Sequence, residues 1–140
     1  MRETFIFDLD GTLANSNGRD FYNPSHEEII ADLQITPVCK VLRSLSEYYT
    51  IVFLSGREAK FYEPTKTWIE EELRIFNPEL FMRRTGDWRK DSIIKLELFN
   101  EKIKPNYNVI GIFDDRLQVC RMWYEQGIFC FNVNQGLKEF

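Results

Sequence analysis

Thr4-Phe5-Ile6-Phe7-Asp8-Leu9-Asp10-Gly11-Thr12 is the stretch that decides the fold. Its apolar opening, Thr4 to Phe7, is β-branched and aromatic and reads as a buried strand. Two aspartates one residue apart close it, followed by a glycine and a threonine. Strand side chains alternate, so Asp8 and Asp10 share a direction only while the strand persists. Gly11 then allows a sharp turn that exposes amide N–H groups. Two carboxylates beside such donors are able to hold a hard cation and a phosphate together. Like charges this close repel unless a cation or proton intervenes, so the pair is a poor ending for a merely structural strand. Asp-Gly is also a common turn, and the stretch alone does not exclude that reading.

The rest of the chain sets bounds. Its 140 residues fit one domain, 1–140, large enough for a real core. Hydrophobic residues at 44% and aromatics at 15% exclude a disordered chain. The net charge of −4 argues against general affinity for nucleic acid. A local cluster of opposite sign, Arg83, Arg84, Arg89 and Lys90, leaves a phosphate ligand open. Cys39, Cys120 and Cys130 are odd in number, lack C-x-x-C spacing and read as reduced core residues. His26 is the only histidine; no G-x-S-x-G context supports a serine triad, and a zinc site lacks ligands. No apolar stretch has membrane-spanning length, and Met1 to Thr4 runs into a strand without a signal peptide. An intracellular, cytoplasmic protein without a membrane partner is the expectation.

Along the chain, strands alternate with helices. After a polar loop, Ser25 and Glu28 fit a capping box, and Thr36-Pro37 starts a helix reaching about Tyr48. Thr50 to Leu54 is a second strand, Pro64 opens a helix ended by Asn77-Pro78, and Leu80 to Met82 is a third strand. Trp88 to Phe99 reads as helical, Val109 to Phe113 as a fourth strand, Leu117 to Gln126 as a helix stopped by Gly127, and Ile128 to Val133 as a fifth strand. This alternation predicts a three-layer α/β/α fold around a parallel, Rossmann-like sheet with right-handed crossovers. Ligands of such sheets sit at the carboxyl ends of the strands. Asp8/Asp10, Ser55/Gly56/Arg57 and Asp114/Asp115 each follow an apolar strand directly. Chance explains one such cluster, but hardly three converging on one sheet edge.

These residues resemble the haloacid dehalogenase-like phosphohydrolases. Asp8-Leu9-Asp10-Gly11-Thr12 looks like their first signature, Ser55 the second, Lys90 at a helix start the third, and Asp114-Asp115 the fourth. Asn17-Gly18-Arg19, Ser55-Gly56-Arg57-Glu58, Gly86-Asp87 with Arg89-Lys90-Asp91, and Asp114-Asp115-Arg116 resemble more narrowly the 3′-phosphatase domain of phage-type polynucleotide kinase. That enzyme also has a P-loop kinase domain. No G-x-x-x-x-G-K-[ST] exists here, so a free-standing or excised phosphatase without kinase activity is expected.

The chemistry then assigns roles. Asp8 is the candidate nucleophile, forming an aspartyl-phosphate, and Asp10 the general acid and base. The resemblance implies Mg²⁺ held by Asp8, the Asp10 carbonyl and Asp114. Lys90 would neutralise the phosphoryl oxygens and Asp8. Ser55 and the Gly56 amide would donate to the phosphate, and Arg57 and Arg19 would reach it or the nucleotide beyond. Asp115 would order Lys90 or a metal-bound water, and Asp87 would orient Lys90 or Arg89. Phe21 and Tyr22, in the loop after the first strand, are candidates for stacking on a base.

The expected function is a Mg²⁺-dependent phosphomonoesterase removing a 3′-phosphate from a nucleic-acid end or nucleotide. The short segment Leu13 to Asn23 allows only a minimal cap, leaving an open site for a bulky substrate. A separate kinase or ligase is the implied partner. The alternatives are a small-metabolite or mononucleotide phosphatase and a non-catalytic phosphate-binding module. Retention of Asp10 beside Asp8 weighs against the last, since binding alone does not require it.

Overall fold

The computed structural model of the chain describes residues 1–140. Strands β1 (Glu3–Phe7), β4 (Thr50–Glu58), β5 (Glu79–Arg83), β6 (Asn108–Asp114) and β7 (Cys130–Asn132) form one parallel sheet in the order β5-β4-β1-β6-β7. The helices are α1 (His26–Ile30), α2 (Thr36–Ser46), α3 (Tyr62–Trp68), α4 (Asp91–Leu98) and α5 (Leu117–Glu125). Wide π-helical turns, Ile69–Leu73 and Phe99–Ile103, extend α3 and α4. No helix is long and apolar enough to cross a membrane.

The central strands are apolar on both faces because both faces are covered. Phe5 and Phe7 of β1 pack with Cys39, Leu42, Trp68 and Ile69 of the α2/α3 layer. Ile6 packs with Phe99, Ile103, Val119, Met122 and Trp123 of the α4/α5 layer. The same parity divides Phe53 from Val52 and Phe113 from Ile112. In-register pairing brings Phe7, Phe113 and Phe131 side by side, and their rings stack with centroids 4.3 and 4.5 Å apart. Parity also aims the chemistry: Asp8 follows Ile6, and Asp114 follows Ile112, so both carboxylates turn toward the α4 layer.

Local boundaries differ from expectation where tertiary packing decides. Thr36 is the first residue of α2, and Ile35 occupies the N-cap position without a side-chain bond. Pro64 lies inside the first turn of α3, and the extension ends at Arg74 in a left-handed conformation, before Asn77-Pro78. Trp88 to Lys90 precede α4 rather than forming its first turn. The Ser25/Glu28 capping box is present as read.

Two short strands escape the sequence reading. β2 (Ala14–Asn15) and β3 (Leu33–Gln34) pair antiparallel and pinch off residues 16–32. This small insert, with α1 inside it, is the minimal cap. Asp32 anchors it to α3, because its backbone carbonyl accepts from Trp68 Nε1 at 2.8 Å.

Candidate active site

A cavity of about 700 Å³ opens at the carboxyl edge of the sheet and is lined by Asp8, Asp10, Gly56, Arg57, Asp114 and Asp115, among others. The three sequence clusters therefore meet, as their positions at the carboxyl ends of β1, β4 and β6 require; β4 runs on to Glu58, so Ser55, Gly56 and Arg57 belong to its final stretch and not to a loop beyond it.

The innermost group surrounds Asp8. Lys95 of α4 donates to Asp8 Oδ1 and Asp114 Oδ2, both at 2.9 Å, and is only 1% exposed. The lysine in this position is thus Lys95, and the expectation for Lys90 is corrected. Lys90 is the N-cap of α4, exposed at the cavity wall. Five residues of helix separate the two, which is not a whole number of turns, so they face different ways. Burial opposes the Lys95 ammonium, but the carboxylates of Asp114, Asp8 and Asp91 outweigh it and hold its pKa well above the lysine range. Asp8 shifts the other way from an ordinary carboxyl. Burial and then the Asp114 charge push it up, with Lys95 opposing.

Thr12 donates to Asp8 Oδ2 at 2.8 Å. Asp115 stands across Gly11, where any β-carbon would overlap its carboxylate; Gly11 also has φ +80°. Glycine is needed there twice, for the turn and for the close approach. The amides from Gly11 to Ala14 are not free. Gly11 N bonds to the Ala14 carbonyl, and Thr12, Leu13 and Ala14 all donate to the Leu9 carbonyl.

Asp8, Asp114 and Asp115 each offer an oxygen within 4.8 Å of the others. Three carboxylates against one lysine leave excess negative charge. An all-oxygen donor set of this kind suits a hard divalent cation. Asp115 sits among the possible ligands more directly than its supporting role implied, while the Asp10 carboxylate points to other partners.

Those partners form a second group. Arg57 grips Asp10 with two bonds, Nε at 2.9 Å and one terminal nitrogen at 2.8 Å, and also reaches Asp32 at 3.0 Å and Thr65 at 3.0 Å. Arg19 grips Asp32 with bonds of 2.7 and 2.9 Å and lies 3.6 Å from Asp10. Arg19 and Arg57 line the cavity as expected, but their donors are engaged by carboxylates. Burial raises the Asp10 pKa, yet Arg57 and then Arg19 outweigh it, leaving the group below the usual carboxylate range.

A third group braces the wall. Arg83 donates to the Gly56 carbonyl at 2.8 Å and to Asp91 at 2.9 Å. Asp91 lies 4.0 Å from Lys95, 3.4 Å from Arg116 and so close to Gly56 that a β-carbon would collide with it. Ser55 is buried below the cavity, and its hydroxyl oxygen accepts from Arg57 N at 3.0 Å. Asp87 pairs with Arg89, which also holds Glu97, and this network lies on the surface away from Lys95. Sequence reasoning missed Lys95 and Asp32, and included Asp91 and Thr12 within motifs without giving them a role. The Asp91–Lys95 spacing of four within a helix otherwise marked by Ile94 and Leu98 was the available signal. Asp32 has none, because it enters through the β2/β3 pairing.

A parallel sheet covered on both faces, with acidic groups at its carboxyl edge and a small cap, defines the HAD-like α/β class. Residues 2–137 match the family model described as the polynucleotide kinase PNKP phosphatase domain, and the chain belongs to that family. It is 41% identical over 138 residues to a protein of Autographa californica nuclear polyhedrosis virus named "Putative bifunctional polynucleotide kinase/RNA ligase", covering 96% of this chain and 20% of that one. Two solved structures are similar. One, of the Pnkp1/Rnl/Hen1 RNA repair complex, has a TM-score of 0.88 at 44% identity, covering 96% of this chain and 43% of its own. The other, also of a Pnkp1/Rnl/Hen1 complex, has a TM-score of 0.86 at 45% identity and covers 96% and 46%. The chain therefore spans about a fifth of the viral relative and less than half of each matched structural chain.

Proposed function

We propose that the chain is a phosphomonoesterase that removes a 3′-phosphate from nucleic-acid ends by way of an aspartyl-phosphate on Asp8. The observation that carries this reading is the pairing of Asp8 with Lys95 at 2.9 Å, beside an Asp10 fixed by two arginines in the same cavity. Membership of the phosphatase family supports the reaction class. The viral relative's name and the repair-complex structures support a nucleic-acid end as substrate and a kinase or ligase as partner.

Lys95 neutralises Asp8 before attack and the phosphoryl oxygens as charge develops. Asp8 attacks phosphorus in line, and the bond to the ester oxygen breaks. Asp10 delivers a proton to that oxygen and then takes one from the water that opens the acyl phosphate. An Asp10 held below the carboxylate range by Arg57 is suited to the second step. For the first, a phosphate dianion in the cavity competes for the Arg57 guanidinium and loosens its hold on Asp10. Asp8, Asp114 and Asp115 would hold Mg²⁺, which supplies charge neutralisation at the phosphate when bound.

The test is a side-by-side assay of 3′- and 5′-phosphorylated oligonucleotides, with mononucleotides and sugar phosphates as controls. Preference for 3′ ends is expected. Preference for 5′ ends or for sugar phosphates would overturn the polynucleotide reading and leave a phosphatase of other specificity.

A further inference from the structure

Single exposed rings are ordinary on protein surfaces, and Tyr48 and Tyr124 are examples. The cavity mouth differs, because rings from two separate loops converge there. Phe21 and Tyr22, in the cap after β1, and Trp88, in the loop after β5, all line the cavity that contains Asp8. They remain 55%, 75% and 73% exposed and belong to neither apolar core. Phe21 and Tyr22 meet edge to face at 5.1 Å.

The loop carrying Trp88 is pinned on both sides of the ring. Gly86 N donates to the buried Glu58 at 3.0 Å, and Lys60 N donates to Thr85 Oγ1 at 2.9 Å. Arg83 donates to the carbonyls of Asp87 and Arg89, at 2.8 and 2.6 Å. Backbone order is thus invested around an indole that packs into nothing. A ring on fixed backbone loses little freedom when a flat partner stacks on it. Two residues on, Lys90 lines the same cavity and makes no ion pair, whereas Arg89 is occupied by Asp87 and Glu97.

We infer that Trp88, with Phe21 and Tyr22, forms a stacking platform for the nucleobases of an unpaired 3′ end, and that Lys90 takes the phosphodiester behind the terminal nucleotide. The inference rests on the nucleic-acid reading above and narrows it to single-stranded ends. Stacking tolerates any base, since every base has a π-face. A single free lysine neutralises few backbone phosphates, so the salt dependence is shallow. A duplex end keeps its bases engaged with one another and is the poorer substrate.

The experiment begins with the unmodified protein on a 3′-phosphorylated single-stranded oligonucleotide and on a sugar phosphate. Preference for the sugar phosphate removes the nucleic-acid reading itself. With activity on the oligonucleotide established, Trp88→Ala should raise its KM roughly tenfold, and Trp88→Phe should recover most of the loss. The loss should be several times smaller on the same oligonucleotide with abasic residues at its last two positions. Equal losses on both substrates, or none on either, overturn the platform while the phosphatase reading stands. Binding has its own readout: Trp68 and Trp123 are buried, so quenching of tryptophan emission in an Asp8→Asn background reports Trp88. Unquenched emission at saturating oligonucleotide also counts against the platform. A melting curve checks that the exposed position leaves the fold intact.

Discussion

Two charged groups share one cavity and are built on opposite rules. Around Asp8, three carboxylates face one lysine; Asp8, Asp114 and Lys95 are buried, and they are held by the ends of core strands and by α4. Around Asp10, two carboxylates face two guanidiniums, and half of the group comes from the cap. The first is electrically unfinished, and its stability depends on what binds. The second is balanced within the chain and behaves as a clamp that fixes Asp10 and closes the insert onto the sheet. A phosphatase needs both, a centre that attracts ligands and a frame that does not rearrange when they arrive.

The comparison breaks most completely at its centre. Asp8→Asn should lower phosphate release by at least about a thousandfold, because an amide is a far weaker nucleophile. Lys95→Ala should abolish turnover and also destabilise the fold by ~3–5 kcal/mol, since it leaves buried carboxylates without a counter-charge. Lys90→Ala should leave the melting temperature unchanged. Turnover lost in Lys90→Ala and retained in Lys95→Ala would instead favour the lysine at the helix start.

Metal removal sharpens the same contrast. Chelation should stop catalysis, and added Mg²⁺ should raise the melting temperature by linkage. Asp115→Asn should raise the metal-free melting temperature, because a repelling charge is removed, and should shrink the Mg²⁺ increment. Calorimetric scans with and without Mg²⁺ read both. The clamp predicts the reverse. Asp32→Asn leaves Arg19 and Arg57 facing Asp10 alone, and should cost ~2–4 kcal/mol whether or not metal is present. A metal-dependent cost at Asp32 would merge the two groups into one.

The same distinction explains what the sequence made legible. The five sheet strands, the three converging clusters and the acidic centre were readable because each depends on an apolar run and the local chemistry at its end, whereas the order of the strands came only from their pairing. Lys95 was masked because a lysine inside an amphipathic helix looks like a solvated position. Only the parity of Ile6 and Asp8, combined with the placement of α4, shows that it must point inward. Asp32 and the roles of Arg19 and Arg57 depend on a two-residue strand pairing that carries no propensity signal. The minimal cap was read from segment length, yet its anchoring to Trp68 was not.

The smallest effect belongs to a third charged group that resembles the clamp on paper and differs from it in burial. Arg89 forks between Asp87 and Glu97 with bonds of 2.6 to 3.0 Å, geometry as close as that of Arg57 with Asp10. Water reaches it freely, so the charges are screened and the long side chains gain little by being held. Hydrogen bonds from Arg89 lower the Asp87 pKa to about 2. A carboxyl whose folded pKa is depressed adds stability above its unfolded value, near 4, and loses it as pH falls toward 2. Asp87→Asn removes that small contribution at neutral pH. The expected outcome is a melting temperature unchanged within error at physiological salt, with activity on a 3′-phosphorylated oligonucleotide within about twofold of the unmodified chain. Melting curves at low and high salt provide the check. A loss at Asp87 as large as that at Asp32, persisting at high salt, would mean that the loop after β5 and not burial sets the worth of an arginine fork in this molecule.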